Sequence, residues 1–164
     1  WWTSGDCSVT TSSSPSSTEE KEALLLVAAL LLNAIDLDDQ IFQNIYEGGT
    51  PILTISLIQF ADAIQSLIDA RNSLETDPDL EQLRKYELSE FLKIDRSLKL
   101  AIKNHKKASS TIDRIVNDPK VEEDEGLLSR LLKKAKKFLV RGEGYVRQSA
   151  TAVADIQYVA SIRG

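Results

Sequence analysis

The sequence contains no methionine, one cysteine and one histidine in 164 residues. A lone Cys7 excludes an intramolecular disulfide and any thiolate zinc site, which needs several ligands at fixed spacing. A lone His105 excludes His-rich metal sites and the Glu-x-x-His pairs of di-iron bundles, which draw a His from each of two helices. Glycine (7) and proline (4) are scarce, so the chain is neither collagen-like nor mostly linker. The longest unbroken apolar run, residues 23–32, is about half of the roughly 20 residues that a membrane span needs. It predicts a buried helix segment and no transmembrane segment. Freedom from methionine suits an oxidising compartment. The opening Trp1-Trp2-Thr3, without an initiator Met, reads as a processed mature chain or a trimmed fragment with no signal peptide left on it.

What is present is a chain with 42% hydrophobic and 27% charged residues, enough at this length for one domain with a real core. Residues 1–17 are Ser/Thr-rich with Pro15 and cannot bury enough surface to fold alone. They read as a flexible N-terminal arm, held either by a partner or by the domain itself. Trp1 and Trp2 are its candidate anchors, since Trp is enriched at interface hot spots. Residues 18–164 read as the folded domain.

Four helical segments follow, each with apolar residues at three-to-four spacing. The first starts near Thr18, where Ser17 and Glu20 form a capping-box pattern. It runs to Gly48-Gly49, a C-terminal glycine signal, with a bend expected near Asp36–Asp39. The second takes Thr50 as N-cap and Pro51 at the first helical position, and Thr76-Asp77-Pro78 ends it. The third has Asp77 as cap and no Gly or Pro from 79 to 117. It predicts a single helix of about 38 residues, on the order of 57 Å, with Ser89 as its weakest point. Asp118-Pro119 and an acidic loop, Glu122 to Glu125, lead to a fourth helix from about Gly126 to Ser161. Gly142 and Gly144, each costing roughly 1 kcal/mol inside a helix, mark a kink or a close helix approach there. With no strand alternation and short joints, the expected fold is all-α, an up-down-up-down four-helix bundle.

Charge is strongly divided. Residues 1–79 carry 13 acidic and 2 basic side chains, and residues 80–164 carry 12 acidic and 18 basic, net −11 and +6, which sum to −5. The positives cluster as Lys99, Lys103, Lys106 and Lys107 on the third helix. On the fourth they are Arg130, Lys133, Lys134, Lys136, Lys137 and Arg141. Folding back about residue 121 brings both sets to one end, and Arg130, Lys134, Lys137 and Arg141 share one helical face. This patch is the candidate partner-binding site, fitted to an acidic protein surface or to anionic headgroups. Net negative charge and the lack of any reading motif argue against nucleic acid. The opposing acidic set is Asp36, Asp38, Asp39 and Asp62. Asp36-x-Asp38-Asp39 lacks the spacing and distal Glu of an EF-hand, so no metal is expected, and the trio reads as a helix-start or bend signal.

No catalytic chemistry emerges. A serine nucleophile needs a positioned base, and His105 is the one imidazole. Gly-rich phosphate loops, dinucleotide fingerprints and Gly-x-Ser-x-Gly are missing. His105 falls on the apolar stripe of the third helix and reads as a satisfied boundary residue, with an axial ligand to haem or pigment as the sharper alternative. Cys7 has nothing basic near it to make a reactive thiolate. No enzyme activity and no cofactor are expected.

The Ser12-Ser13-Ser14-Pro15 arm ahead of four helices, with lysines concentrated in the later two (Lys99–Lys107, Lys133–Lys137), resembles the PsbQ-like extrinsic subunits of photosystem II. The resemblance is one of layout over residues 12–161, and the arm lacks the Pro-rich character of the plant members. It implies a non-catalytic accessory subunit in an organelle lumen, the thylakoid, peripheral to a membrane, which docks on a larger protein complex through its charged face and its arm. The rival reading is a free-standing protein that binds anionic lipid. The amphipathic, basic start of the fourth helix, Leu127 to Lys134, has the pattern this requires.

Overall fold

The computed structural model describes residues 18–163. Trp1, Trp2, Cys7 and the expected arm lie outside the described residues. Those described are all-α, in six α-helices and one 3-10 turn with no strand. They are α1 (Thr18–Glu47), α2 (Thr50–Thr76), the 3-10 turn (Pro78–Leu80), α3 (Glu81–Tyr86), α4 (Leu88–Asn117), α5 (Pro119–Glu123) and α6 (Glu125–Arg163).

Each long helix buries a seam at strict three-then-four spacing. On α1 it is Leu24, Val27, Leu31, Ala34, Asp38, Ile41 and Ile45. On α2 it is Leu53, Ser56, Phe60, Ala63, Leu67, Ala70 and Leu74. On α4 it is Phe91, Ile94, Leu98, Ala101, His105, Ala108, Ile112 and Ile115. On α6 it runs from Ala135 through Leu139, Gly142, Val146, Ser149, Val153 and Ile156 to Ala160. A 3.5-residue average period keeps a seam turned toward its neighbours along a long helix. α1 packs on α2 and α6, and α4 packs on the same two. α1 and α4 therefore oppose each other across the core, as do α2 and α6. α2 is long and apolar enough to cross a membrane by length and composition, and its seam is packed between α1 and α4.

Several joints differ from the sequence expectation. The third segment is not one helix. It breaks at Glu87 (φ −113°, ψ 39°), two residues before Ser89, while its backbone bonds continue from Glu87 N–H to Leu83 O and from Phe91 N–H to Glu87 O. Counting back from Phe91 by four and seven gives Glu87 and Arg84, which are charged. The break resets the register so that Leu83 and Leu80 are buried instead. Arg84 is freed to donate to the carbonyls of Leu74 and Asp77 and so closes the end of α2. Thr50 is not a cap: Gly49 holds the extended N-cap position, and the Thr50 carbonyl accepts from the Thr54 hydroxyl. Asp77 caps the 3-10 turn by accepting from Asp79 N–H, and Asp118 caps α5 the same way from Lys120 N–H. Part of the expected acidic loop is thus helical. α1 runs unbroken through Asp36–Asp39. Gly48, at φ +75°, turns the chain between α1 and α2, in the left-handed region that glycine enters without a Cβ penalty.

Candidate functional site

The expected basic patch splits in two. Lys99, Lys103, Lys106 and Lys107 of α4 and Lys134 of α6 line one open groove of about 750 Å³ between the two helices. Arg130, Lys133, Lys137 and Arg141 are exposed on α6 but do not line that groove. The floor is half-buried Ile102 and Phe138, with the hydroxyl residues Ser110 and Thr111 at one end. The Lys107 ammonium lies 5.5 Å from the centre of the Phe138 ring, a cation–π distance that holds the ring and the charge together. Among the described residues, no carboxylate lines the groove, and none of its five lysines forms a salt bridge.

The spacing explains why α4 builds this wall. Residues 99, 103, 106 and 107 alternate with seam residues Leu98, Ala101 and His105, so the lysines stand on the flank of the buried stripe. Lysine suits such a position: its aliphatic stem covers apolar surface while the ammonium stays in water. Five positive charges, none in a salt bridge among the described residues, focus a field that attracts anions.

Directly behind the groove lies a feature that the sequence reading missed. His105 is fully buried, not a boundary residue, and its partner is Asp38 of α1. The His105 Nε2 sits 2.7 Å and 2.9 Å from the two Asp38 oxygens, and Nδ1 lies 2.7 Å from the Ala101 carbonyl. A carbonyl only accepts, so Nδ1 carries a hydrogen and donates. Nε2 shares a second proton with the carboxylate. Burial alone lowers the imidazole pKa, but the Asp38 bond and charge, with the Ala101 carbonyl, outweigh it and leave it above its ordinary value. Burial likewise raises the Asp38 carboxyl by more than His105 offsets. Both residues have zero exposure, and neither lines the groove. The pair spans the diagonal between α1 and α4 and divides the apolar core in two. One cluster is centred on Leu31, Leu67, Leu98 and Val153, and the other on Ile41, Phe60, Ile112 and Leu139.

Gly142 of α6 faces this pair. A Cβ built there would stand 2.6 Å from His105 Nδ1 and 2.8 Å from Cε1. The glycine is the space that the imidazole occupies, which is the close approach its place in the helix implied. Gly144 has no atom within 4 Å of such a Cβ and no comparable role. Beside the pair, Arg147 bridges Glu143 (3.2 Å) and reaches Asp39 at 4.0 Å. Burial raises the Glu143 carboxyl, the neighbouring Asp39 adds to this, and Arg147 opposes it.

Of the expected acidic set, Asp36, Asp39 and Asp62 are exposed, while Asp38 is the histidine's partner. No cluster of three or more His, Cys, Asp or Glu suited to a metal ion occurs among the described residues. The signal that could have found the pair was in the pattern: Asp38 and His105 both fall on the seam, where, apart from Glu20 in the first turn of α1, the other large residues are apolar. In comparisons with protein-family models, curated proteins and solved structures, nothing matches the chain.

Proposed function

We propose that this protein is a non-catalytic docking subunit, an up-down-up-down four-helix bundle that attaches to an acidic protein surface through the groove between α4 and α6. The observation that carries this reading is the lining itself: five lysines, no carboxylate and an apolar floor. Such a groove orients and retains an acidic segment by charge, with Ile102 and Phe138 supplying contact area. The Asp38–His105 pair is sealed in the core, so a role in folding suits it better than one in catalysis. Lysines rather than arginines fit a surface that reads charge without a fixed bidentate geometry.

The layout shared with PsbQ-like extrinsic subunits fits this reading. It makes a lumenal, membrane-peripheral complex the first place to seek the partner, with Trp1 and Trp2 as a second contact. An anionic lipid surface is the weaker alternative. The apolar residues of α6 that would enter a bilayer, Leu127, Leu128, Leu131 and Leu132, are packed on the core.

The test is co-purification from the native source with the wild-type chain and with Lys103→Glu/Lys106→Glu as baits, at low and high salt. A complex retained by the wild type at low salt, released at high salt and never retained by the variant supports the proposal. Equal retention by both baits overturns it.

A further inference from the structure

The molecule carries a second groove of opposite character on its far side. Asp62 and Asp69 of α2 line it with Asn33, Leu37, Gln65 and Ser66, in a space of about 340 Å³ between α1 and α2. From residue 22 to residue 70 there is no Lys, Arg or His, so α1 and most of α2 offer that face no positive charge. Because α1–α2 and α4–α6 are opposite pairs of the packing, the acidic and basic grooves point away from each other. They also lie at one height. Arg71 of α2 pairs with Asp95 of the antiparallel α4. Nine residues back along α2 and nine forward along α4 then set Asp62 level with residue 104, between Lys103 and Lys106.

We propose that the acidic α1–α2 groove of one copy docks into the basic α4–α6 groove of the next, so that the protein self-associates head to tail. The partner is a second copy of this chain. The inference rests on the reading of the basic groove as a docking site for acidic protein surfaces. Two different patches meet in such a contact, so the interface is heterologous and extends into an open row. The last copy keeps a free basic groove for the larger assembly. The attraction is between exposed charges, and salt suppresses it as the Debye length falls from about 30 Å at 0.01 M to about 3 Å at 1 M.

The experiment is sedimentation of the full chain across a concentration series at those two salt levels. It includes the wild type, Lys103→Glu/Lys106→Glu, Asp62→Lys/Asp69→Lys and a 1:1 mixture of the two variants. All four substituted positions are exposed, and circular dichroism checks that each variant keeps its helices. The wild type should grow in mass with concentration at low salt and return to one chain at high salt. Each variant alone should associate at least about tenfold more weakly. The mixture should regain the association, because the two intact faces pair and the two reversed faces are complementary to each other as well. A wild type that stays a single chain at low salt overturns the proposal, as does association that persists in both variants. Binding of poly-L-glutamate, run in parallel, separates the two levels. If it binds the wild type and not Lys103→Glu/Lys106→Glu while self-association is missing, the self-docking proposal falls and the docking reading stands. If it does not bind the wild type, both fall.

Discussion

At the residue scale the molecule turns on Asp38, His105 and Gly142. A buried pair of this kind contributes little net stability compared with apolar residues of similar size, yet removing one partner strands the other. Asp38→Ala or His105→Ala should therefore cost about 3–5 kcal/mol in denaturant unfolding. The double replacement Asp38→Leu/His105→Leu should cost far less than the sum of the single changes. Gly142→Ala drives a methyl into the imidazole and should cost about 1–3 kcal/mol. Gly144→Ala, with open space around it, should instead gain up to about 1 kcal/mol from helix propensity.

The pair also sets the sign of the pH dependence. With His105 raised in the folded state, its contribution is whole below the ordinary value of 6.5 and is lost as pH rises through the folded value. Asp38 is raised too, so the folded state binds that proton more tightly, and its burial weakens folding as pH climbs above 3.8. Both act in one direction. Unfolding free energy should fall as pH rises above 6.5 in the wild type, and the slope should flatten in the double Leu variant. Asp38 was hidden in the sequence because Asp36, Asp38 and Asp39 read together as a helix-start or bend signal. Its seam position between Ala34 and Ile41 was visible, but the pairing across 67 residues exists only once α1 and α4 oppose each other.

At the scale of elements, the long helices were legible because a three-four apolar seam, a glycine pair at 48–49 and prolines at 51, 78 and 119 are local signals. The break at Glu87 was harder to place. Helix propensity is continuous there, and the interruption serves the burial of Leu80 and Leu83, a tertiary demand that overrides local preference. Gly48 is the joint most exposed to substitution: at φ +75°, Gly48→Ala should cost about 1–2 kcal/mol, measured as a lowered denaturation midpoint. Asp77→Ala, which removes the acceptor for Asp79 N–H, should cost about 0.5–2 kcal/mol without changing the helix content.

At the scale of the whole molecule, the division of charge between the two halves of the sequence becomes two opposite faces, because α1 and α2 are neighbours and so are α4 and α6. That half of the candidate site could be read from composition alone. Which lysines line the groove could not: Lys134 lines it, while Arg130, Lys137 and Arg141, which share its helical face, and Lys133 do not. The most direct test is a two-dimensional NMR titration of the full chain with poly-L-glutamate at low salt. Shifts concentrated on residues 99–111 and 134–138, saturable and erased by high salt, are the predicted result. Shifts spread evenly over the lysines of α6, or none at all, would contradict it.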